Sequence, residues 1–329
     1  MMRAALLVPL MLALHACEVA GQEQIDETIP SNATGQVEIT NISGSIRVTA
    51  WDRNEIRVTG TLGRGTERLA VEGGRDRTTI RVIVPQNGRN VRETELEVRV
   101  PARKDVTVRG VSADVEVEGV TGSVSASSTS GDVSVAGSPR QLNASSTSGD
   151  LELDVNTATI RANTTSGDIV IDGRVQQSIT VNSTSGDVDI TATVPEISSE
   201  TVSGSLSITG VSRRASASTV SGSVTIEDSR VQILSLESVS GELTFSGDLL
   251  PGAAVKAESH SGSVRMELPS NVAVDFKLNS FSGGIQNDFG PAAQRTSRYG
   301  PGRELNFSTG RNGVVDLRTF SGSIFLERR

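Results

Sequence analysis

The chain has 329 residues, a formal net charge of −8, 33 glycines and only 3% aromatic residues. An acidic chain with no concentration of Lys and Arg lacks the basic patch that nucleic-acid backbones require. The single cysteine, Cys17, and the two histidines, His15 and His260, exclude an intrachain disulfide, a thiolate metal cluster and a His-rich metal site.

The start, MMRAALLVPLMLALHACEVAGQEQ, predicts a signal peptide over residues 1–21. Arg3 supplies the charged region, and Ala4 to Ala16 form an apolar stretch too short for a stable membrane span. Two cleavage chemistries are open. Leu14-His15-Ala16-Cys17 resembles a bacterial lipobox, which would lipidate Cys17 and anchor the chain to a membrane. Val19-Ala20-Gly21 offers the small residues of ordinary cleavage near Gly21. Either way the expected location is beyond the inner membrane: periplasm, outer membrane or secreted.

Residues 31–112 read as an irregular N-terminal β region that caps the stack of regular repeats. SGSIRV at Ser43 to Val48 opens it, and Ile56 and Val58 stand seven and five residues before Gly63. Longer alternating strands come next in TTIRVIVP and ELEVRVP, with charged residues on the outward positions. Trp51, the only tryptophan, is expected to pack in this cap.

From residue 113 to 329 the sequence repeats. The unit is Ser/Thr-Ser-Gly-Asp-Val-x-Val, and its marker glycines are Gly131, Gly149, Gly167, Gly186, Gly204, Gly222 and Gly241, at steps of 18 or 19 residues. Gly262, Gly283 and Gly322 continue the series, the last after a step of 39, close to two periods. Two and four residues after each glycine stand apolar residues such as Val133 and Val135, or Ile169 and Ile171. Seven and five residues before it stand others, such as Ile160 and Ala162, or Leu234 and Leu236. Alternation with period two is a strand with one buried face. The expected fold is therefore all-β, a parallel β-solenoid with two principal strands per coil of about 18 residues. A sandwich of antiparallel hairpins is the competing architecture. Two residues before the glycine lies a further slot, with Val202, Val220, Val239 and Phe281 in later units; a bend or bulge would turn it inward. His260 shares the slot and is expected to pack inside, as are Phe245, Met266, Phe276, Phe307 and Phe320.

The surface offers two candidate features. Asp132, Asp150, Asp168 and Asp187 stand just after successive marker glycines and would form a column. Each carboxylate either accepts backbone N–H groups at its turn or shares calcium with its neighbours. Residues 288–303, DFGPAAQRTSRYGPGR, interrupt the pattern as a loop within a missing coil, and Arg295, Arg298 and Tyr299 in it could meet a ligand. The final unit, RTFSGSIFLERR, reads as the terminal cap. No GxSxG elbow, P-loop, GxGxxG or HExxH occurs, so no catalytic residue and no cofactor is expected.

The signal peptide, SGSIRVTAWDRNEIRVTG, the VRVP strand and the serial SGDV units together resemble a bacterial family of β-strand-repeat proteins described as candidate adhesins of unknown function. The resemblance covers roughly residues 35 to 329. It implies an envelope or secreted location and a β-helix-like fold, and it carries over no catalytic residue. The functional expectation is a non-enzymatic adhesive or structural envelope module. Its partner would be a cell-surface protein, a glycan or another copy of the chain. The alternative is a β-helix that binds or cleaves polysaccharide.

Overall fold

The computed structural model describes residues 23–85, 92–297 and 300–329. The export segment with Cys17, and the loop residues Arg298 and Tyr299, lie outside them.

The fold is all-β and built from tandem units. Each central strand runs from just past one marker glycine to the next turn, as in Leu151–Ser166, Ile169–Ser185, Val188–Ser203 and Leu206–Ser221. Successive strands pair in parallel, one repeat out of step: Leu151 with Ile169, Ile169 with Val188, Val188 with Leu206, and Leu206 with Val224. Equivalent positions therefore stack into columns along the axis, at about 4.8 Å per rung. The apolar columns after and before the glycine meet in one continuous core that runs from Ile25 to Leu326. A single unit could not bury its apolar face; the stack does.

The marker glycine is set by close approach. A Cβ on Gly149 would lie 2.2 Å from the carbonyl oxygen of Gly131, and the same holds for Gly167 over Gly149 and Gly186 over Gly167. Only glycine lets consecutive turns come this near. Gly44 and Ala113 pair in register and start the column from the N-terminal side, as the SGSIRV match requires.

Three residues before each glycine is a small polar residue, and it points inward. Ser146 Oγ donates to the Gly131 carbonyl at 3.1 Å, Thr319 Oγ1 to the Gly262 carbonyl at 3.0 Å, and Ser280 Oγ to the Gly322 carbonyl at 2.9 Å. Asn41 Nδ2 makes the same contact with the Thr94 carbonyl at 2.9 Å. These groups satisfy carbonyls that the turn takes out of the strand ladder. In the middle units the glycine N–H instead reaches the serine before the next glycine, as from Gly186 to the Ser203 carbonyl at 3.2 Å. There the equivalent hydroxyls of Ser183, Thr219 and Ser238 are buried without a partner.

Both ends depart from simple chain order. Strand Gln36–Trp51 lies between Asp105–Glu118 on one side and Arg77–Ile83 with Thr94–Pro101 on the other. Arg68–Gly73 and Glu55–Leu62 then add in antiparallel fashion, and Glu23–Pro30 adds to the latter. Ile56 and Val58 are thus in an antiparallel strand between Glu23–Pro30 and Thr94–Pro101, not in one of the parallel units. Trp51 is half-buried in its turn, where Nε1 donates to the Glu55 carbonyl at 2.8 Å. The side chain of Lys104 is fully buried here, and Nζ donates to the carbonyls of Arg75 at 2.9 Å and Asp76 at 3.4 Å.

The C-terminal end mirrors this exchange and corrects two expectations. Gly313–Thr319 inserts between the end of Leu243–Ser261 and Asp275–Ser280, and Ile324–Arg328 inserts between Val264–Leu268 and Ile285–Asn287. The stacking order is therefore Gly262, Gly322, Gly283. The final unit is interior, not the cap. The 39-residue step holds no skipped coil. It holds an excursion that places Arg303–Ser308 antiparallel on Asp275–Ser280, with Gln294–Arg295 beyond it. Phe245, Met266 and Phe276 are buried as expected, and Phe307 packs half-buried against Phe276 at 4.7 Å between ring centroids.

Candidate functional site

The position two before the glycine faces solvent. No bulge reverses the strand: positions seven, five and three before the glycine all point inward, so six, four and two point out. Val202, Val220 and Val239 are 49%, 48% and 50% exposed, and Phe281 and Phe320 are 53% and 49% exposed. His260 is exposed beside them. The apolar side chains expected inside instead form an external column, because the buried slot is taken by the hydroxyls one residue earlier. The sequence carries the signal for this: the recurrent Ser or Thr at that slot keeps the alternation, and only the apolar type of Val202 and Phe281 argues, misleadingly, for burial.

In stacking order the column reads Thr129, Thr147, Thr165, Thr184, Val202, Val220, Val239, His260, Phe320, Phe281. It changes from hydroxyl to aliphatic to aromatic along one edge. The His260 and Phe320 rings stack at 5.0 Å and 4°, and Phe320 and Phe281 at 4.7 Å and 6°. The centroid distances follow the rung spacing of about 4.8 Å and exceed the thickness of a ring, so the near-parallel rings are offset-stacked along the axis. Their faces overlap in part, and about half of each phenylalanine meets solvent. Such a ridge suits apolar contact better than sugar stacking, which needs a free ring face.

Four residues before the glycine runs a parallel wall: Glu200, Ser218, Glu237, Glu258, Arg318 and Asn279. Wall and ridge enclose an open groove of about 650 Å³. Lys256 bridges Glu237 at 3.3 Å and Glu258 at 3.0 Å, and hydrogen bonds to both, Glu258 first, hold its ammonium above the usual lysine range. Arg318 pairs with Asp316 at 2.8 Å and approaches Glu258 at 3.7 Å.

The aspartate column is also present. Asp132 Oδ1 accepts the Asp150 N–H at 2.9 Å, Asp150 accepts that of Asp168 at 2.8 Å, and Asp168 accepts that of Asp187 at 2.8 Å. Asp187 ends the run by accepting the Ser205 N–H at 2.7 Å, and Asp114 begins it with that of Asp132 at 3.1 Å. Each carboxylate is thus a strand-to-strand acceptor at its turn. Among the described residues no group of three or more His, Cys, Asp or Glu converges as a metal cage. Arg295 is exposed in the short strand that pairs with Arg303–Ser308. No other candidate side chain joins it among the described residues.

No curated protein matches the chain. The chain is similar to several solved structures, three of which follow. A candidate adhesin from Bacteroides fragilis shares 15% identity at a TM-score of 0.44, covering 69% of this chain and 98% of its own. A candidate lipid-binding protein from Parabacteroides distasonis shares 16% at 0.47, covering 70% and 95%. A candidate cell adhesion protein from Clostridium sporogenes shares 9% at 0.22, covering 93% and 100%. The sequence pattern described as Toastrack DUF4097 matches residues 28–209 and 191–327. The chain is a β-repeat protein and belongs to the Toastrack DUF4097 family.

Proposed function

We propose that this protein is an exported envelope module whose repeats form a parallel β-solenoid, with two principal strands per coil of about 18 residues, and that it works by adhesive contact along one edge. The parallel registers one repeat apart support the architecture. The export segment read over residues 1–21 supports a location in the periplasm, at the outer membrane or outside the cell.

One observation carries the functional reading: the half-exposed ladder Val202, Val220, Val239, Phe320 and Phe281. Isolated apolar residues on a surface need no explanation, but a contiguous ridge with a polar wall marks a contact site. The stack gives that ridge a stiff backing.

The test is capture from intact envelopes with the full chain as bait. The control replaces all five ladder residues by Thr, the residue that occupies the same column at Thr129 to Thr184. A saturable partner lost with the control is the expected result. Equal capture by both proteins would move the contact elsewhere on the molecule.

A further inference from the structure

We infer that the partner of this ridge is a second copy of the chain, docked side by side and antiparallel. The inference rests on reading the ladder as a contact surface and names its occupant.

Commensurability favours a second copy. The ridge presents one side chain per rung, about 4.8 Å apart. An extended peptide lying along it would present same-side residues about 6.6 Å apart and fall out of step within two rungs. Another ladder with the same rise stays in register over the whole ridge, as paired sheets do in dry zipper interfaces. This chain carries such a ladder.

Shape favours the antiparallel arrangement. The ridge is small at Val202 and large at Phe281, with His260 beyond the middle. Parallel copies would set Phe281 against the partner's Phe281 and leave a wedge open between the valines. Antiparallel copies related by a two-fold axis set Val202 against the partner's Phe281, Val220 against the partner's Phe320, and Val239 against the partner's His260. Each pair then sums to a similar height, and the contact is closed and isologous.

The wall agrees. The same operation places the partner's Arg318 opposite Ser218, one rung from both Glu200 and Glu237. The glutamates brought together, Glu237 and the partner's Glu258, each already hold a Lys256 ammonium on their own chain. Half of each phenylalanine contributes roughly 100 Å², and the whole ridge about 500 Å² per copy, a large patch for a monomer. A stable complex uses roughly 800 Å² per partner, so the dimer is expected to be reversible and to form with rising concentration.

Sedimentation velocity on the purified full chain, from low to high micromolar, tests this. The expected result is a concentration-dependent dimer that Val220→Thr with Phe320→Thr weakens roughly thirtyfold, with the circular dichroism spectrum unchanged. Mixing single variants Val239→Cys and His260→Cys should give a disulfide between the two substituted positions, identified by mass spectrometry. Crosslinking of Val239→Cys only with itself would overturn the antiparallel arrangement. A monomer at every concentration would overturn the inference, as would a dimer indifferent to the ladder variants. If that monomer still captured an envelope partner through the ladder, the contact reading would survive and only the identity of its occupant would fall. Binding of the monomer to lipid vesicles through the ladder would likewise replace the second copy.

Discussion

Gly167→Ala probes the column on which the stack depends. The added Cβ would lie 2.2 Å from the Gly149 carbonyl oxygen and 2.7 Å from its carbon, both backbone atoms that cannot swing away. Relief requires the two turns to part by more than about 1 Å, since ordinary contact of a Cβ begins near 3.4 Å. That displacement stretches the bonds from Ser166 N–H to the Thr147 carbonyl, at 2.9 Å, and from Asp168 N–H to Asp150 Oδ1, at 2.8 Å, beyond hydrogen-bonding range. Two such bonds at about 1 kcal/mol each, with about 1–3 kcal/mol of overpacking, give a cost of about 3–5 kcal/mol. Repeat stacks couple mainly to nearest neighbours, so the loss should be local. Native-state hydrogen exchange read by mass spectrometry should show protection falling in the strands on either side of Gly167 while Gln36–Trp51 keeps its own. Gly74→Ala is the control, because nothing lies within 4 Å of its Cβ position. A cost under about 1 kcal/mol for Gly167→Ala, or an equal cost for Gly74→Ala, would refute the close-approach role of the column.

The polar columns give further expected outcomes. Asp150→Asn keeps an oxygen for the Asp168 N–H and relieves like charge, so denaturant unfolding should find it neutral or slightly stabilising; Asp150→Ala should cost about 1 kcal/mol. Ser146→Ala removes the donor to the Gly131 carbonyl and should cost about 1 kcal/mol, whereas Ser183→Ala deletes a buried hydroxyl that has no partner and should be neutral or stabilising. Lys104 is held below the usual lysine range by burial, with Asp76 opposing. The unfolded chain therefore keeps this proton longer, and stability should rise with pH from the lowered folded value towards 10.5. Thermal melts of Lys104→Met should lack that alkaline rise. An unchanged rise would assign it to another group.

The regular repeat units are legible in the sequence and the ends are not. The glycines from Gly131 to Gly241 recur at one period, and the apolar pairs around them alternate, so the units, their strands and the inward faces read off directly. Chain order at the ends does not. Equivalent units present equivalent columns, so the Gly322 unit fits between Gly262 and Gly283 as well as beyond them. Only the three-dimensional path of the excursion through Arg303–Ser308 decides. The ridge is hidden for a different reason. Residue type at Val202 and Phe281 points inward while parity points outward, and a strand pleat cannot place two adjacent residues on one face without a bulge. Serine and threonine at the buried slot look like surface residues because their role, capping the carbonyl of the neighbouring turn, exists only between coils. The aspartates are legible as a column, and each carboxylate accepts the N–H of the next turn.

The outward direction of the ladder supports both the proposed contact and its occupant, and native-state thiol labelling tests it most directly. Single cysteines would replace Val202, Val220, Val239, Phe320 and Phe281, and, for comparison, Ser183 and Ser238 one position earlier in their coils; the unsubstituted chain corrects for Cys17. At concentrations low enough to keep the chain monomeric, the five ladder positions should react with a maleimide at rates near those of an unfolded peptide, while the two comparison positions stay protected until the protein unfolds. Protection of the ladder with rapid labelling at Ser183 and Ser238 would reverse the strand parity and contradict the exposed ridge.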